Sequence, residues 1–207
     1  MSAQSDYEFH GFSITNRRPA LIANLVYDHA SGFYLGGSAI AEDAARDGPE
    51  FLGSIQYAGY ARHDDAGRSW DLGVSNADLS SYIPGQKTAF HYTELYGGVS
   101  TEHASLYVRY SPNYIRPGAS ALYLDLSGAV RPADRWRLFA HAGLTVPLTW
   151  PAGGNSPKDH YDLRAGVARQ LGAWELQLAA TTAGPTGPPA YPAKDRGAVI
   201  LGLAYSF

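Results

Sequence analysis

The sequence predicts an all-β protein in which a single domain, 1–207, forms a closed antiparallel barrel of about twelve strands. Three observations predict this fold class. Apolar and polar residues alternate with a period of two in one segment after another, as they do along a strand. Turn-forming residues separate these segments at regular intervals. The last segment, 198–207, alternates between large apolar and mostly small side chains and ends on the aromatic Phe207.

The predicted strands follow one another along the whole chain. In the first, Tyr7, Phe9 and Gly11 alternate with polar residues, and we expect it to pair with the last strand, which would close the barrel without a free edge. At roughly 8–12 residues each, the strands have the length that a tilted strand needs to cross a bilayer. Their predicted bounds are 5–14, 20–28, 33–40, 51–62, 69–76, 89–100, 105–111, 120–130, 136–146, 160–171, 174–182 and 198–207.

In most strands the polarity of the residues indicates which face points into the lumen and which faces lipid. The fourth strand is assigned by the same criterion, with Ile55 and Tyr57 on the apolar face and Gln56 on the polar face. The alternation is clearest in the second half of the chain, where leucines of the eighth strand lie opposite Tyr123 and Asp125.

The connections between the predicted strands differ in length on the two sides of the barrel. Those after strands two, four, six, eight and ten are short, whereas those after strands three, five, seven, nine and eleven are longer. Prolines lie in turns or at strand ends, as an uninterrupted ladder requires. Short periplasmic turns and longer extracellular loops are typical of transmembrane barrels.

Soluble barrels and β-sandwiches also alternate, with their apolar face inside. Three features favour an apolar face that meets lipid. The polar face carries charges of both signs, and Trp70, Trp136 and Trp174 each begin a strand after a short turn, where an aromatic girdle would lie. The chain also ends on Phe207, and the set Gly202, Tyr205 and Phe207 resembles the terminal assembly signal of bacterial outer-membrane barrels.

These features predict a protein of the Gram-negative outer membrane, whose partners are the lipid bilayer and, during insertion, the barrel-assembly machinery. The sequence opens without a secretion leader, so we expect a leader to have been removed on export. A net charge of −3 provides no basic surface for nucleic acid. A protein partner and a homo-oligomer both stay open.

Several segments resemble the Gcw_chp family of bacterial proteins. The first is Ser5-Asp6-Tyr7-Glu8-Phe9-His10-Gly11-Phe12-Ser13, with His10 where the family usually has Arg, and the others are 19–21, 27–34, 92–98 and 110–114. The resemblance covers the first 115 residues well and the remainder loosely. It implies an outer-membrane barrel and carries no settled function.

The polar face predicts the lining of the barrel lumen. A water-filled lumen with charges of both signs would let small polar solutes diffuse passively, as in a porin-like channel. The alternative is a structural or partner-binding barrel whose lumen is filled by paired charges and tyrosines, without an open pore. The predicted lumen-lining residues are Glu8, His10, Asn24, Gln56, Asp71, Glu94, Tyr96, Tyr107, Arg109, Tyr123, Asp125, Arg137, His141, Asp162, Arg164, Glu175 and Gln177.

An enzyme is not expected. The sequence contains neither Gly-x-Ser-x-Gly nor His-Glu-x-x-His, and its seven histidines belong to no nucleophile or metal motif. We therefore predict no catalytic residue, no metal site and no cofactor.

Overall fold

The computed structural model describes residues 1–43, 48–83, 86–114, 116–151, 158–184 and 197–206. Within these ranges the chain has no helix that is both long and apolar enough to span a membrane. Its strands are β1 (Ser2–Gln4), β2 (Glu8–Phe9), β3 (Phe12–Ser13), β4 (Ala20–Asp28), β5 (Phe33–Asp43), β6 (Pro49–His63), β7 (Ser69–Ile83), β8 (Gln86–Ser100), β9 (Ala104–Ser111), β10 (Ser120–Ala133), β11 (Trp136–Thr149), β12 (His160–Leu171), β13 (Trp174–Gly184) and β14 (Gly197–Tyr205).

Twelve of these strands form one closed barrel, in which every neighbouring pair is antiparallel. From β4 to β14 each strand pairs with the next one along the chain, and β1 lies between β14 and β4 and closes the barrel. The remaining two, β2 and β3, pair only with each other. The predicted fold class is confirmed.

The outer face of the barrel is covered with large apolar side chains. Leu25 is 79% exposed, Leu72 is 69% exposed and Val199 is 69% exposed. The register places such residues on the same face of strand after strand, so they form a band around the barrel rather than isolated patches. An apolar surface of this extent is what a lipid-facing barrel presents.

A short turn before β7 shows how the tight connections are held. The backbone N–H groups of Ala66 and Arg68 each donate to Asp64 Oδ1 at 3.0 Å, and the Trp70 indole N–H donates to Asp64 Oδ2 at 3.1 Å. The Arg68 backbone donor and then the Trp70 donor hold the pKa of Asp64 well below its usual range. The turn thereby fixes Trp70 at the outer edge of the barrel.

The predicted first strand, 5–14, is wrong. The barrel is closed by β1, in which Gln4 lies opposite Gly202 on one side and Ala20 on the other. The Ser5 N–H still donates to the Leu201 carbonyl at 2.8 Å, and the chain then turns into the lumen.

Residues 6–15 form a small hairpin inside the barrel, here called the lumenal hairpin, which contains β2 and β3. Its turn lies between Phe9 and Phe12, where His10 has a φ of 47° and Gly11 a φ of 75°. Glycine adopts such a conformation without steric cost, and the turn reverses the chain after only two strand residues. The alternation of 5–14 therefore belongs to a hairpin and not to a wall strand.

The inner-face assignment of Gln56 is also wrong. Ile40 lies opposite Gly53 and Ala41 lies opposite Phe51, which leaves Leu52 as the extra residue of a β-bulge. Beyond the bulge Ile55 and Tyr57 share the inner face, and Gln56 points outward. Polarity alone misassigned this strand, because apolar residues occupy both of its faces.

The long loop predicted after the fifth strand is wrong as well. β7 continues to Ile83 and β8 begins at Gln86, so most of the predicted loop belongs to two long strand arms. Much of the other predicted external loops, at 44–47, 152–157 and 185–196, lies outside the described residues, whereas the loop after β9 is described except for residue 115.

Candidate lumenal site

A cluster of apolar side chains on the inner faces of β4 to β8 is here called the apolar wall. It consists of Ile22, Ile40, Leu52, Leu79 and Tyr92. These side chains are almost completely buried, because the lumenal hairpin packs against them. Burial of each large aliphatic side chain contributes about 1.5–3 kcal/mol, so several together hold the hairpin firmly. The hairpin contributes Tyr7, Phe9, Phe12 and Ile14 to this contact.

The inner faces of β9 to β13 differ in kind and are here called the ionic wall. Its members are Arg109, Asp125, Arg137, His141, Asp162, Arg164 and Glu175, which the register places on one face. The ionic wall gathers charges of both signs, whereas the side formed by β4 to β8 combines the apolar wall with the carboxylates of Glu42, Asp71 and Glu94.

The lumenal hairpin also reaches the second side of the barrel. The His10 ring stacks on Tyr123 with centroids 3.9 Å apart, and the Phe12 ring stacks on His160 at 4.3 Å. Thr181 donates a hydrogen bond from Oγ1 to Glu8 at 2.9 Å. The hairpin thus spans the lumen from wall to wall.

His141 lies at the centre of the ionic wall, between two carboxylates. Its Nδ1 is 3.3 Å from Asp125 Oδ1 and its Nε2 is 2.9 Å from Asp162 Oδ1. The Tyr123 hydroxyl donates to Asp162 Oδ2 at 3.1 Å. A side chain at Gly143 would collide with Tyr123 and Asp162, so the glycine leaves room for this network.

A second network joins the two walls near β7 to β9. The hydroxyls of Tyr34 and Tyr107 donate to the two oxygens of Asp71, at 2.7 and 3.0 Å. The guanidinium of Arg109 lies over the Tyr96 and Tyr107 rings, 5.2 and 5.4 Å from their centroids. The rings hold Arg109 by cation–π attraction while leaving its N–H groups accessible.

A third network lies nearer the short turns. Arg137 donates from Nη2 to Glu175 Oε1 at 2.6 Å and from Nε to Oε2 at 3.3 Å. Gln177 Nε2 donates to the same carboxylate at 2.6 Å. This two-pronged geometry is the strongest that arginine and a carboxylate adopt.

Tyrosines and glycines are paired throughout the inner face. A Cβ added at Gly36 would collide with the Tyr57 ring, and one added at Gly73 would collide with the Tyr96 ring. The same relation links Gly59 to Tyr34 and Gly98 to Tyr107. The high content of glycine and tyrosine, 23 and 15 residues, therefore reflects rings that lie flat against neighbouring strands.

Water access differs along the lumen. The side chain of Glu94, beside His10, is 7% exposed and that of Asp162 is 9% exposed. The Arg109, Arg137 and Glu175 side chains are 22–25% exposed. The lumen is thus packed at the level of the hairpin and partly solvated toward the short turns.

The structure places most of the predicted lumen-lining residues on the inner face. Glu8 and His10 lie in the lumen on the hairpin rather than on the wall, and Gln56 lies outside the barrel. On the inner face are Asn24, Asp71, Glu94, Tyr96, Tyr107, Arg109, Tyr123, Asp125, Arg137, His141, Asp162, Arg164, Glu175 and Gln177.

Sequence reasoning missed Tyr57, Phe139 and the apolar wall. Phe139 carries Arg137 and Arg164 on its ring, at 5.0 and 5.8 Å. A glycine opposite each ring, Gly36 and Gly166, was the available signal. Of the predicted assembly signal, Gly202 lies opposite Gln4 and Tyr205 packs on Trp174 at 4.8 Å, whereas Phe207 lies outside the described residues.

The described ranges contain no group of three or more His, Cys, Asp or Glu residues arranged to hold a metal ion. Within the ionic wall Arg109, Arg137 and His141 form ion pairs with Asp125, Glu175 and Asp162, and Arg164 lies over the Phe139 ring.

The sequence model of a family described as a bacterial protein of unknown function, Gcw_chp, matches residues 1–199. None of the curated proteins matches the chain. Among solved structures the chain is similar to the KdgM porin, with 14% identity, a TM-score of 0.57 and coverage of 100% of this chain and 99% of that one.

Two other solved barrels are more distant. A loop-deletion mutant of OmpT, an outer membrane protein of Vibrio cholerae, has 17% identity, a TM-score of 0.44 and coverage of 89% and 62%. The beta domain of the Bordetella autotransporter Brka has 18% identity, a TM-score of 0.36 and coverage of 100% and 97%.

Proposed function

The chain belongs to the Gcw_chp family, and we propose that it is an outer-membrane, porin-like channel through which small polar solutes diffuse passively. The observation that carries this proposal is the partly solvated ionic wall, where Arg109, Arg137 and Glu175 line one side of a closed barrel. The exposed apolar band supports an outer-membrane location. The similarity to the KdgM porin supports the barrel type alone.

The arrangement of charges accounts for the class of solute. Paired charges of both signs offer hydrogen bonds to polar groups without trapping an ion of either sign. The lumenal hairpin occupies the bore at the level of His10 and limits the size of what can pass. We therefore propose weak charge selectivity and a low conductance.

The proposal assigns the chain no catalytic role, no cofactor and no nucleic-acid partner. Its partners are the lipid bilayer and, during insertion, the barrel-assembly machinery.

A second candidate function is a structural or partner-binding barrel with a filled lumen. The hairpin favours it, because its Ile14 and Thr15 are completely buried and its rings touch both walls. In this reading the ionic wall stabilises the plug, and no solute crosses.

Single-channel conductance in planar bilayers tests the channel. We expect the refolded protein to show a stable open level, and Arg109→Ala and Arg137→Ala to shift its reversal potential toward cation selectivity. Arg169→Ala is the matched control, because Arg169 lies on the outer face over the Trp136 ring at 5.1 Å. Its loss removes the same charge without changing the lumen.

A variant without residues 6–18, joined by a short glycine linker, separates the two candidates. A larger open level than that of the wild type supports a channel narrowed by the hairpin. If the folded wild type shows no conducting level, whether or not the variant conducts, the result contradicts the open channel and supports the filled barrel.

A further inference from the structure

Among the residues that the structure describes, the outer face of the barrel carries a cluster of polar side chains, here called the polar island. Two rows of the register build it across β6, β7 and β8. The members of the lower row are Gln56, Asn76 and Thr93, and those of the upper row are Ser54, Asp78 and His91. All six are at least partly exposed.

The island lies in the part of the apolar band nearer the long loops. The row below it is Ala58, Val74 and Leu95. Beyond it the outer face carries Phe51 on β6, which is 63% exposed, and Ser80 and Ala89 on β7 and β8. Asn76 follows Trp70 by six residues, which corresponds to about 15 Å above the tryptophan level for a tilted strand. The apolar band of a transmembrane barrel is about 25 Å tall.

The wall around β11, four strands away from β7, carries no polar island at this height. Ala142 follows Trp136 by six residues, as Asn76 follows Trp70. Its row consists of Leu126, Ala142 and Leu163, and the row above consists of Leu124, Leu144 and Tyr161. The polar island is therefore a local property of β6 to β8.

The hydrogen bonds within the island leave much of its capacity unused. Gln56 Nε2 donates to Ser54 Oγ at 2.5 Å, Asn76 Nδ2 approaches Thr93 Oγ1 at 3.4 Å, and His91 contacts Asp78. An amide has two donors and one strong acceptor, and these bonds use one donor of each. Lipid chains cannot satisfy the remainder.

We propose that two copies of the chain associate through the polar island, around a two-fold axis that runs along the membrane normal beside β7. This inference rests on the proposed outer-membrane location. A second copy fits because the amides and hydroxyls of the island both donate and accept, so that each can pair with its own kind.

The surroundings of the island suit close approach of a second barrel. Ala58 and Gly97 are small and lie on the outer face beside the larger Val74 and Leu95. Small residues let two transmembrane surfaces come together, so that polar side chains meet across the contact. The apolar row would then shield these hydrogen bonds from below.

Cysteine cross-linking in proteoliposomes tests the contact, and the chain has no cysteine of its own. We expect Asn76→Cys, which lies beside the axis, to give mostly disulfide-linked dimer on mild oxidation. Ala142→Cys, at the same height on β11, is the matched control and is expected to stay monomeric. Equal cross-linking of the two variants, or none in either, overturns the proposal.

A second measurement does not depend on an introduced thiol. The mass of the detergent-solubilised protein is expected to fall from dimer to monomer in Gln56→Leu with Asn76→Leu, and to stay dimeric in Leu126→Ala. If the wild type is monomeric and the double variant loses bound lipopolysaccharide instead, the island binds lipid and the proposal is wrong.

These outcomes are separate from those of the channel proposal. Cross-linking and mass report association whether or not the barrel conducts, and conductance reports the lumen of a monomer or a dimer. Failure of the protein to enter bilayers would contradict the outer-membrane location that both share.

Discussion

The two sides of the lumen use opposite means to hold the same hairpin. The apolar wall binds it through buried hydrocarbon, with Ile40 fully inaccessible, whereas the ionic wall meets it through ring stacking and single hydrogen bonds. Apolar packing has no direction and is strong here, while the contacts to Tyr123 and Thr181 depend on geometry. The comparison indicates that the hairpin is anchored chiefly on β4 to β8.

The largest loss of stability is expected when a charge is introduced into the apolar wall. Ile40→Asp places an unpaired carboxylate where no water reaches, and we expect it to lower the free energy of unfolding by about 4 kcal/mol or more. The hairpin should leave the wall, which would break the hydrogen bonds from Arg17 and Arg18 to the hairpin and speed cleavage by trypsin between these two residues. Ile40→Val, which keeps the packing, should stay resistant, and equal cleavage of both variants would contradict anchoring by this wall.

Removal of one carboxylate from the ionic wall should cost less. Asp162→Ala leaves His141 with Asp125 alone and removes the acceptor of the Tyr123 hydroxyl, so we expect a loss of about 2–3 kcal/mol. Denaturant unfolding in lipid vesicles measures it. Asp134→Ala, in an exposed turn, should change stability by less than about 0.5 kcal/mol. Similar values for the two would show that the network adds no stability.

The next largest loss of stability is expected where a tyrosine ring packs on a glycine, a contact that occurs on both sides of the lumen. Gly73→Ala brings a methyl group into the Tyr96 ring, and overpacking of this kind costs about 1–2 kcal/mol. Gly97→Ala is the matched control on the outer face, where the nearest side-chain atom, Leu72 Cδ1, would be 3.6 Å away. Its stability should stay close to that of the wild type. Equal losses would point to backbone effects instead of the ring.

The smallest effect is expected at a turn outside both walls. Because the folded-state pKa of Asp64 is lowered, its carboxylate stabilises the protein above the pKa of the unfolded chain, and this stabilisation is lost as the pH falls toward the folded-state value. The Tm of the wild type should exceed that of Asp64→Asn at neutral pH and approach it in acid. A difference that grows on acidification would contradict the assignment.

The sequence predicted the fold well where each strand has one polar face. Along β10, Leu122, Leu124 and Leu126 were correctly predicted to lie on the face opposite that of Tyr123 and Asp125. When the two faces of a strand differ in polarity, an alternating pattern allows only one assignment of the faces. The pattern failed at Gln56, since apolar residues occupy both faces of β6 and polarity then selects the wrong face, and alternation does not reveal the bulge at Leu52.

The candidate site was harder to predict than the fold. Its charged members were found from polarity, but the apolar wall was not, because polar residues alone were used to identify the lumen face and Ile22 and Leu79 were assigned to neither face. The hairpin was missed for a related reason. Short alternation around Phe9 and Phe12 fits a wall strand and a hairpin equally well, and only the backbone at His10 and Gly11 separates the two.

The brevity of β1 has a consequence for the order of folding. Its contacts join residues almost as far apart as the chain allows: the Leu201 N–H donates to Ser5 Oγ across a separation of 196 residues. Contacts of such long range carry a large loop-closure entropy, so they form after the local hairpins of the barrel. The segment that follows β1 is the hairpin itself, so the last seam to close and the entry of the hairpin into the lumen are one kinetic event.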